Sequence, residues 1–289
     1  MSAWWRKIIL VAGVAYCSTL WAADKISLQR ADGKTLAAQA YAPAHECKGI
    51  AIISHGAGGS EYGYVYLARL MASQDYLTVV PGHQESGMIA LQKNAQGHDL
   101  RYGMVSLVTN KAAYTTRMMD ISAARQWAAP RCQGKAAVLL GHSMGAATVM
   151  MVAGAENLMG IDEKQRKTLQ VNTVFDRYIA LSPQGVGVIF PNHAWSQIAR
   201  PVLMMTGTKD ENLGGGSWIK RTEAFADLPG GCQWLGVIEG ATHMNFAGHD
   251  VTPENLALIS HTIVAFLEAK PDKGCPAPAT RAGLTLTTK

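Results

Sequence analysis

Short continuous runs of apolar residues recur along this chain, and they limit most strongly what it can fold into. There are six such runs of four or five residues, and each is followed within two residues by Gly, Pro or Ser. Runs of this length predict strands that other elements cover on both faces. The six runs span residues 50–53, 77–80, 137–140, 178–181, 202–205 and 234–238.

Segments with a helical pattern lie between these runs. Near the start of the chain, Asp32-Gly33 is a turn signature that predicts a hairpin of two strands, residues 25–30 and 35–42. Strands that alternate with helices predict an α/β fold, in which a mostly parallel central sheet has helices on both faces, here with an N-terminal hairpin. The predicted helices span residues 62–74, 114–129, 143–154, 217–226 and 253–269.

Length and composition favour one folded domain after the N-terminal segment. The chain has 289 residues, of which 48% are hydrophobic and 16% charged, so it can bury a large core. Two small domains are the alternative, but since no repeat or Pro/Gly/Ser-rich linker divides the chain, we expect a single domain over residues 24–289. The net charge of +5 includes no basic cluster interleaved with aromatic residues, and nucleic acid is therefore not expected as a partner.

The first 23 residues have the pattern of an export signal. Two basic residues precede an almost uninterrupted apolar run, residues 8–20, and the small residues Ala22 and Ala23 stand where a signal peptidase would cut. The run is shorter than the roughly 20 residues of a membrane-spanning helix. We therefore predict a cleaved signal peptide, residues 1–23, and a periplasmic or secreted protein with no stable membrane insertion after cleavage.

The cysteines fit an exported protein. Removal of the signal peptide would remove Cys17 and leave an even number of cysteines, which predicts two disulfides in an oxidising compartment. Four cysteines allow three pairings, and the sequence spacing does not choose among them. Four unpaired, buried thiols are the alternative. The remaining cysteines are Cys47, Cys132, Cys232 and Cys275.

A serine lies between two glycines in the sequence Gly-His-Ser-Met-Gly, directly after the run 137–140. Ser143 is the centre of this motif, and Gly141 and Gly145 flank it. On a sharp turn from strand to helix, the glycines prevent collisions with neighbouring elements, so the serine hydroxyl can face the substrate. The motif therefore indicates that Ser143 is a nucleophile. A loop serine that caps a helix is the alternative.

A serine nucleophile needs a base, and the base needs a carboxylate to orient it. Of the nine histidines, His243 has the best setting because it follows the last predicted strand and precedes the last predicted helix. Asp210 follows the strand 202–205, so the chain order is Ser, Asp, His. Glu211 is the nearest rival for the acid. We therefore predict Ser143, Asp210 and His243 as the catalytic residues.

The negative oxygen that forms during the attack needs two main-chain N–H groups. We predict that Met144, directly after the nucleophile, supplies one of them. Ala57 is predicted to supply the other because it lies in the glycine-rich sequence His-Gly-Ala-Gly-Gly, residues 55–59, after an early strand. A phosphate-binding loop is the alternative for this sequence, but the Gly-Lys-Ser/Thr ending is missing.

Taken together, these motifs resemble those of the α/β-hydrolase superfamily, over a core of about residues 35–269 with a C-terminal tail, residues 270–289. The resemblance is to exported serine esterases of the dienelactone-hydrolase-like and platelet-activating-factor-acetylhydrolase-like group, and it implies ester hydrolysis through an acyl-enzyme. Two features differ from that group. Ser143 stands where dienelactone hydrolases carry cysteine, and residues 82–112 form a long insertion.

The disulfide pairing is implied by the sheet order of this superfamily. In that order, the strands that follow Cys47 and Cys132 are parallel neighbours, so the two cysteines would lie at the same edge of the sheet, opposite the active site. Cys232 opens what the sequence predicts as the last strand, and the final helix brings the chain back to that edge before Cys275. The resemblance therefore implies the disulfides Cys47–Cys132 and Cys232–Cys275.

No cofactor and no metal are expected, because the predicted residues supply attack, proton transfer and charge stabilisation themselves. There is no metal motif such as His-Glu-x-x-His, and the mature cysteines are widely separated. The expected partner is a small-molecule or polymeric ester. An amidase or acyltransferase would use the same triad, and a catalytically silent binding protein could retain the same fold.

The insertion, residues 82–112, is expected to border the cleft and to influence which acyl groups fit, because a connection of this length is usually functional or has structure of its own. Within it, His83 and Glu85 are predicted to be solvated loop residues, and polar contacts at the cleft are the alternative. Tyrosines and methionines near the cleft line an acyl pocket or belong to the core. They include Tyr62, Tyr64, Met88 and Met144.

Overall fold

A single sheet runs through the structure, a computed structural model that describes residues 23–134, 136–168, 174–211 and 215–289. The strands in these ranges are β1 Ala23–Gln29, β2 Thr35–Tyr41, β3 Gly49–Ser54, β4 Tyr76–Pro81, β5 Ala136–His142, β6 Arg177–Leu181, β7 Val202–Lys209, β8 Gln233–Thr242 and β9 Leu284–Thr288. They follow the order β1-β2-β4-β3-β5-β6-β7-β8-β9 across the sheet. The predicted signal peptide lies outside the described residues, except for Ala23.

The six central strands, from β4 to β8 in the sheet order, are all parallel to their neighbours. The hairpin β1–β2 joins β4 in antiparallel fashion, and β9 pairs with β8 in the same way. This arrangement confirms the predicted mostly parallel sheet with an N-terminal hairpin. Because the central strands are parallel, the loops that follow them meet at one edge, where open α/β sheets bind ligands.

Helices cover both faces of the sheet, as predicted. The helices are α1 Val65–Ser73, α2 Met88–Ala95, α3 Leu100–Val108, α4 Lys111–Ala128, α5 Met144–Ala153, α6 Glu163–Thr168, α7 Glu223–Asp227 and α8 Pro253–Glu268. Helices α4 and α5 pack on one face, where Met118 and Val149 are buried, and α1 and α8 pack on the other, where Leu67 and Ile263 are buried.

The C-terminal tail differs from the expectations, whereas the insertion agrees with them. The tail, expected to lie outside the core, returns to the sheet as β9, in which Leu284 alone is buried. The rest of this edge strand is only partly covered, so its sequence lacks the continuous apolar run that indicates an internal strand. The insertion, residues 82–112, has structure of its own, since it forms α2 and α3.

The structure contains both disulfides that the resemblance implies. Cys47 and Cys132 precede the parallel neighbours β3 and β5, and their Cα atoms are 5.6 Å apart. Cys232 precedes β8 and joins Cys275, after α8, with a Cα separation of 5.2 Å. Both bridges lie at the amino ends of the strands, opposite the edge where parallel strands end.

As for membranes, none of the helices in the described ranges has the length and apolar character needed to cross one.

Candidate active site

Ser143 lies in a strained turn between β5 and α5. It alone separates the two elements, and its backbone has φ 54° and ψ −119°. Residues other than glycine rarely adopt a positive φ, and such strain is concentrated at functional sites. A Cβ at Gly145 would collide with the main chain of Ser54 in β3, and a Cβ at Gly141 would collide with the main chain of Gly145. Glycine at both positions therefore permits the turn.

Asp210 and His243 meet at the same edge of the sheet. Asp210 directly follows β7, and His243 directly follows β8, the parallel neighbour of β7. His243 Nδ1 lies 2.8 Å from Asp210 Oδ1, and the two form a hydrogen bond. The Asp210 side chain is fully buried, whereas 28% of the His243 side chain is exposed. A histidine held through Nδ1 has its Nε2 free to act on a bound substrate.

Two further side chains hold the Asp210 carboxylate. Thr206 Oγ1 donates to Oδ2 at 2.9 Å, and Arg221 Nε lies 2.7 Å from Oδ1. Burial raises the pKa of Asp210, but the hydrogen bond from His243 and the charge of Arg221 outweigh burial and hold this pKa below its ordinary value. Asp210 is therefore ionised at neutral pH. Glu211, the rival acid, offers its main-chain oxygen to Arg221 at 2.9 Å.

The glycine-rich loop after β3 packs directly against the serine turn. A Cβ at Gly56 would lie 3.4 Å from Ser143 Cβ, which is ordinary van der Waals contact. Within the described ranges, no residue accepts a hydrogen bond from the main-chain N–H of Ala57 or of Met144. Main-chain N–H groups that are partly or fully buried usually have a partner. Two free N–H groups beside a candidate nucleophile can bind a negatively charged oxygen.

A chain of hydrogen bonds connects the loops around Ser143. Gly56 N–H donates to Tyr64 Oη at 3.1 Å, and Tyr64 Oη lies 2.7 Å from His142 Nδ1. His142 Nε2 lies 3.0 Å from the main-chain oxygen of His243. A carbonyl oxygen can only accept, so Nε2 carries the proton of a neutral His142 and Tyr64 donates to Nδ1. Burial, followed by the charge of His243, lowers the pKa of His142 far below its ordinary value, which keeps the ring neutral.

Ser143 and His243 are not hydrogen-bonded to each other in the part of the chain that the structure describes. They are nevertheless near neighbours, because the ring of His142, which precedes Ser143, has its centroid 4.6 Å from that of His243. Catalytic hydrogen bonds are often long without substrate and shorten when substrate binds. The structure therefore brings Asp210 into contact with His243. The hydrogen bond between His243 and Ser143 is expected to form when substrate binds.

A second Ser-His-Asp set lies inside the protein. His83 Nε2 lies 2.9 Å from Ser54 Oγ, and His83 Nδ1 lies 2.8 Å from Asp120 Oδ2. All three residues are buried, with exposures of 0 to 1%. No substrate can reach a hydroxyl enclosed in this way, so this set cannot serve as a second active site. The prediction that His83 is a solvated loop residue is therefore wrong.

Glu85, the other insertion residue predicted to be solvated, is not a free loop residue either. Its carboxylate lies 2.9 Å from Arg30, which also contacts Asp120. Burial raises the pKa of Asp120 to about 7, although Arg30 favours its ionised form. One polar cluster is thus formed by His83, Glu85, Asp120 and Arg30. It could not be predicted from the sequence, because it joins three distant parts of the chain.

The four residues considered for an acyl pocket divide into two pairs. Tyr64 and Met144 are buried, and Tyr64 belongs to the hydrogen-bond chain described above, whereas Tyr62 and Met88 are about half exposed. Met88 lies close to the glycine-rich loop, since its Cε would be 3.8 Å from a Cβ at Gly58.

Within the described ranges, no group of three or more His, Cys, Asp or Glu side chains is arranged to hold a metal ion.

Sequence reasoning missed two buried arginines at this edge, Arg117 in α4 and Arg221 before α7. Arg117 is at helical spacing from the buried Tyr114 and Ile121, and this spacing is the one signal in the sequence that it faces the core. Arg221 lies in a short 3₁₀ segment, whose sequence has no comparable pattern. The partners of Arg117 lie 31 to 63 residues away in the chain and those of Arg221 lie 10 to 39 residues away on separate loops, so neither arginine could be recognised from local sequence.

No protein-family model matches this sequence, and no curated protein sequence is significantly similar to it. Solved structures are similar. A candidate dienelactone hydrolase from Klebsiella pneumoniae subsp. pneumoniae MGH 78578 superposes with a TM-score of 0.59 at 17% identity, over 86% of this chain and 98% of that one. The dienelactone hydrolase of Anabaena variabilis ATCC 29413 gives a TM-score of 0.57 at 16% identity, over 85% and 96%.

A further similar structure is an alpha-beta serine hydrolase homologue from Coxiella burnetii. It superposes with a TM-score of 0.54 at 17% identity, over 83% of this chain and 95% of that one. Similarity at this level of identity shows the fold and not the activity. The chain therefore has the α/β-hydrolase fold.

Proposed function

We propose that this chain is a serine hydrolase that cleaves carboxylic esters through Ser143, His243 and Asp210. The observation that carries the proposal is the 2.8 Å hydrogen bond between His243 and Asp210, at the sheet edge where the strained turn holds Ser143. The fold agrees with it, and the structures similar to this chain are described as hydrolases of the dienelactone and serine types.

In the first half of the reaction, Ser143 Oγ attacks the carbonyl carbon of the ester while His243 Nε2 takes the hydroxyl proton. The electron pair of the C=O bond moves to the oxygen, and the N–H groups of Ala57 and Met144 stabilise the resulting charge. When the C=O bond re-forms, the bond to the alcohol oxygen breaks and the leaving alcohol takes the proton from His243. The acyl group remains on Ser143.

In the second half, water replaces the alcohol. His243 takes one proton from the water as its oxygen attacks the acyl carbon, and the same two N–H groups stabilise the second tetrahedral intermediate. Collapse of this intermediate breaks the bond to Ser143 Oγ, which recovers its proton from His243, and the carboxylic acid leaves. In both halves, the ionised Asp210 orients His243 and stabilises its protonated form.

The test combines turnover with covalent labelling. A panel of p-nitrophenyl esters of increasing acyl length, with a polymeric ester and a peptide alongside, identifies the substrate class. Ser143→Ala and His243→Ala should each lower turnover by roughly 10³-fold or more, and the double variant should lose little more, since both residues serve one proton-transfer step. A fluorophosphonate should label the wild type stoichiometrically.

Mapping the label by mass spectrometry separates the two serines. The label should reside on Ser143, and Ser54→Ala should still be labelled there, because Ser54 is enclosed. An unlabelled wild type without turnover would indicate a silent binding protein and would contradict the proposal. Hydrolysis of the peptide alone would indicate an amidase, and acyl transfer to an added alcohol in place of water would indicate an acyltransferase.

The proposal includes export to the periplasm or the medium. It is supported by the signal-like N-terminal sequence and by the two disulfides, which form and persist in oxidising compartments. The exported protein should begin at Asp24, and peptide mapping without reduction should find both disulfides and no free thiol. A mature protein that retains residues 1–23, or one with free thiols, would contradict this part of the proposal.

A further inference from the structure

Arg117 is a buried cation in α4 that forms no ion pair with a carboxylate in the described ranges, although the charge of Asp120, three residues further along the helix, acts on it. Its side chain is fully enclosed, and within the described ranges none of its hydrogen bonds goes to an acidic group. Burial lowers the pKa of Arg117 to about 10, so the guanidinium remains charged at neutral pH. A buried charge without an ionic partner is costly, and an apolar side chain would pack at this position at lower cost. The reason for an arginine here must therefore lie in what it contacts.

The guanidinium of Arg117 holds two successive carbonyls of the glycine-rich loop. Nη1 donates to His55 O at 2.6 Å, and Nη2 donates to Gly56 O at 3.3 Å. Gly56 O also accepts from Gly59 N–H at 3.1 Å and lies 2.7 Å from His55 Nδ1, so Arg117 shares this carbonyl with two other groups. These bonds fix both peptide units on their carbonyl side.

The N–H groups of the same two peptide units face the other way, because the C=O and N–H of a trans peptide point in opposite directions. The first of them, Gly56 N–H, donates to Tyr64 Oη at 3.1 Å. The second, Ala57 N–H, has no acceptor in the described part of the chain. Arg117 therefore lies behind Ala57 N–H, a free donor of this loop in the described ranges, beside Ser143.

Arg117 is itself held in place by a buried polar network. Its Nε donates to Ser86 Oγ at 2.7 Å and its Nη1 to Ser54 Oγ at 3.1 Å. Ser54 in turn contacts His83, which belongs to the cluster with Asp120 and Arg30. The second Ser-His-Asp set thus has a structural use, since it fixes the hydroxyl on which Arg117 rests.

From these contacts we infer that Arg117 is a positioning residue of the oxyanion hole: it orients the peptide between Gly56 and Ala57 so that Ala57 N–H faces the oxygen formed by attack of Ser143. The inference rests on the proposed function for its catalytic consequence. It goes beyond that function because it assigns a role to a residue that touches neither substrate nor triad. Donors fixed before the reaction are effective because no reorganisation is needed as charge develops.

The test compares Arg117→Met with Arg125→Met, a matched change two turns further along α4. Arg125 stacks on Phe175, and in the described ranges it forms no hydrogen bond with the glycine-rich loop. In Arg117→Met, kcat should fall about 10²-fold with KM within about twofold, because the oxyanion is absent from the bound ester and forms only as Ser143 attacks. The affinity for phenylboronic acid, whose tetrahedral adduct places an oxygen in the same hole, should fall by a similar factor. Arg125→Met should keep both values.

Arg117→Lys serves if the methionine variant does not fold, because lysine keeps a charged donor but can hold only one of the two carbonyls. It should lie between the wild type and Arg117→Met in kcat. Unchanged kcat and boronate affinity in a folded Arg117 variant would overturn the inference. Crystal structures of the wild type and the variant decide it independently of activity: the Gly56–Ala57 peptide should rotate, and an unrotated peptide would also overturn it. A wild type without any ester turnover would contradict only the proposed function.

Discussion

Two buried arginines flank the serine turn, and different groups compensate their buried charges. Arg221 lies against the Asp210 carboxylate, and its remaining N–H groups donate to main-chain carbonyls. Arg117 is at least as enclosed, yet it donates only to hydroxyls and carbonyls in the described ranges. Arg221 thus supports the acid and the histidine, and Arg117 supports the candidate oxyanion donor.

The comparison shows that an arginine can organise a site by charge or by shape. At Arg221, much of the effect is electrostatic, since its charge helps to hold the pKa of Asp210 below the ordinary value. At Arg117, the planar fork of donors matches two consecutive carbonyls, and its charge mainly strengthens those hydrogen bonds. Loss of the positive charge should therefore impair stability and turnover most at Arg221. A change in the geometry of the N–H donors should impair them most at Arg117.

The largest effect is expected for Asp210→Asn. Asparagine keeps the size of the side chain but cannot stabilise a protonated His243, so kcat should fall by about 10⁴-fold. The same change leaves Arg221 buried without its counter-ion, which should cost about 3–5 kcal/mol of unfolding free energy. Ester turnover and urea unfolding of the same preparation measure the two losses.

Glu211→Gln is the matched control for this prediction, because Glu211 is the next residue and contacts Arg221 through its main chain. It should leave kcat and stability close to the wild type. If Glu211→Gln abolished turnover while Asp210→Asn remained active, the assignment of the acid would be wrong, and the comparison between the two arginines would lose its basis.

A smaller effect, which depends on pH, is expected for Arg221→Met. In the wild type, the pKa of Asp210 is lowered in the folded state, so its contribution to stability is present above the unfolded pKa of about 3.9 and is lost as pH falls through the folded pKa. Without the charge of Arg221, burial is opposed less strongly, so the pKa of Asp210 should rise from its value in the wild type. The free energy of unfolding of Arg221→Met should then fall furthest below that of the wild type at pH 7. This loss of stability should shrink as the pH falls toward 4 and Asp210 takes up a proton.

Urea unfolding at pH 4, 5.5 and 7 measures this loss of unfolding free energy relative to the wild type. The same measurement on Arg117→Met provides the comparison. Arg117 acts on Asp120, whose pKa is about 7, through its charge and not through a hydrogen bond, so the loss of stability in Arg117→Met should stay nearly constant between pH 4 and 5.5, where Asp120 is protonated with or without Arg117. Equal pH dependence in the two variants would show that charge dominates in both regions, contrary to the difference drawn above.

The sequence predicted the parts of this site that follow strands directly. Ser143, Asp210 and His243 each come after a strand whose core is a continuous apolar run, and parallel strands end at one edge, so the sequence pattern alone predicts their proximity. The arginines could not be found in this way. Their partners are main-chain carbonyls and a carboxylate from loops that only the folded chain brings together. The buried His83 and the edge strand β9 were missed for the related reason that local polarity suggested exposure.

The smallest effect concerns the connection between the two regions. Tyr64 accepts from Gly56 on the Arg117 side, and through His142 it reaches the main chain of His243 on the other side. Tyr64→Phe leaves Gly56 N–H and His142 without their partner, which should cost roughly 1–3 kcal/mol of stability. In double-mutant cycles on kcat, Tyr64→Phe should couple to Arg117→Lys by about 1 kcal/mol, because both residues hold the same glycine.

The same cycle with Arg125→Met should be additive, because Arg125 shares no hydrogen-bond partner with Tyr64 in the described ranges, and this sets the baseline. The cycle with Arg221→Met decides whether the two regions are separate. Arg221 contacts the His243 ring, at 3.2 Å from Nδ1, whereas the Tyr64 chain ends on the His243 main chain. We therefore expect a weaker coupling than with Arg117. A coupling as large as that of Arg117 would mean that the oxyanion side and the acid side form one cooperative network, in which no single arginine has a separate task.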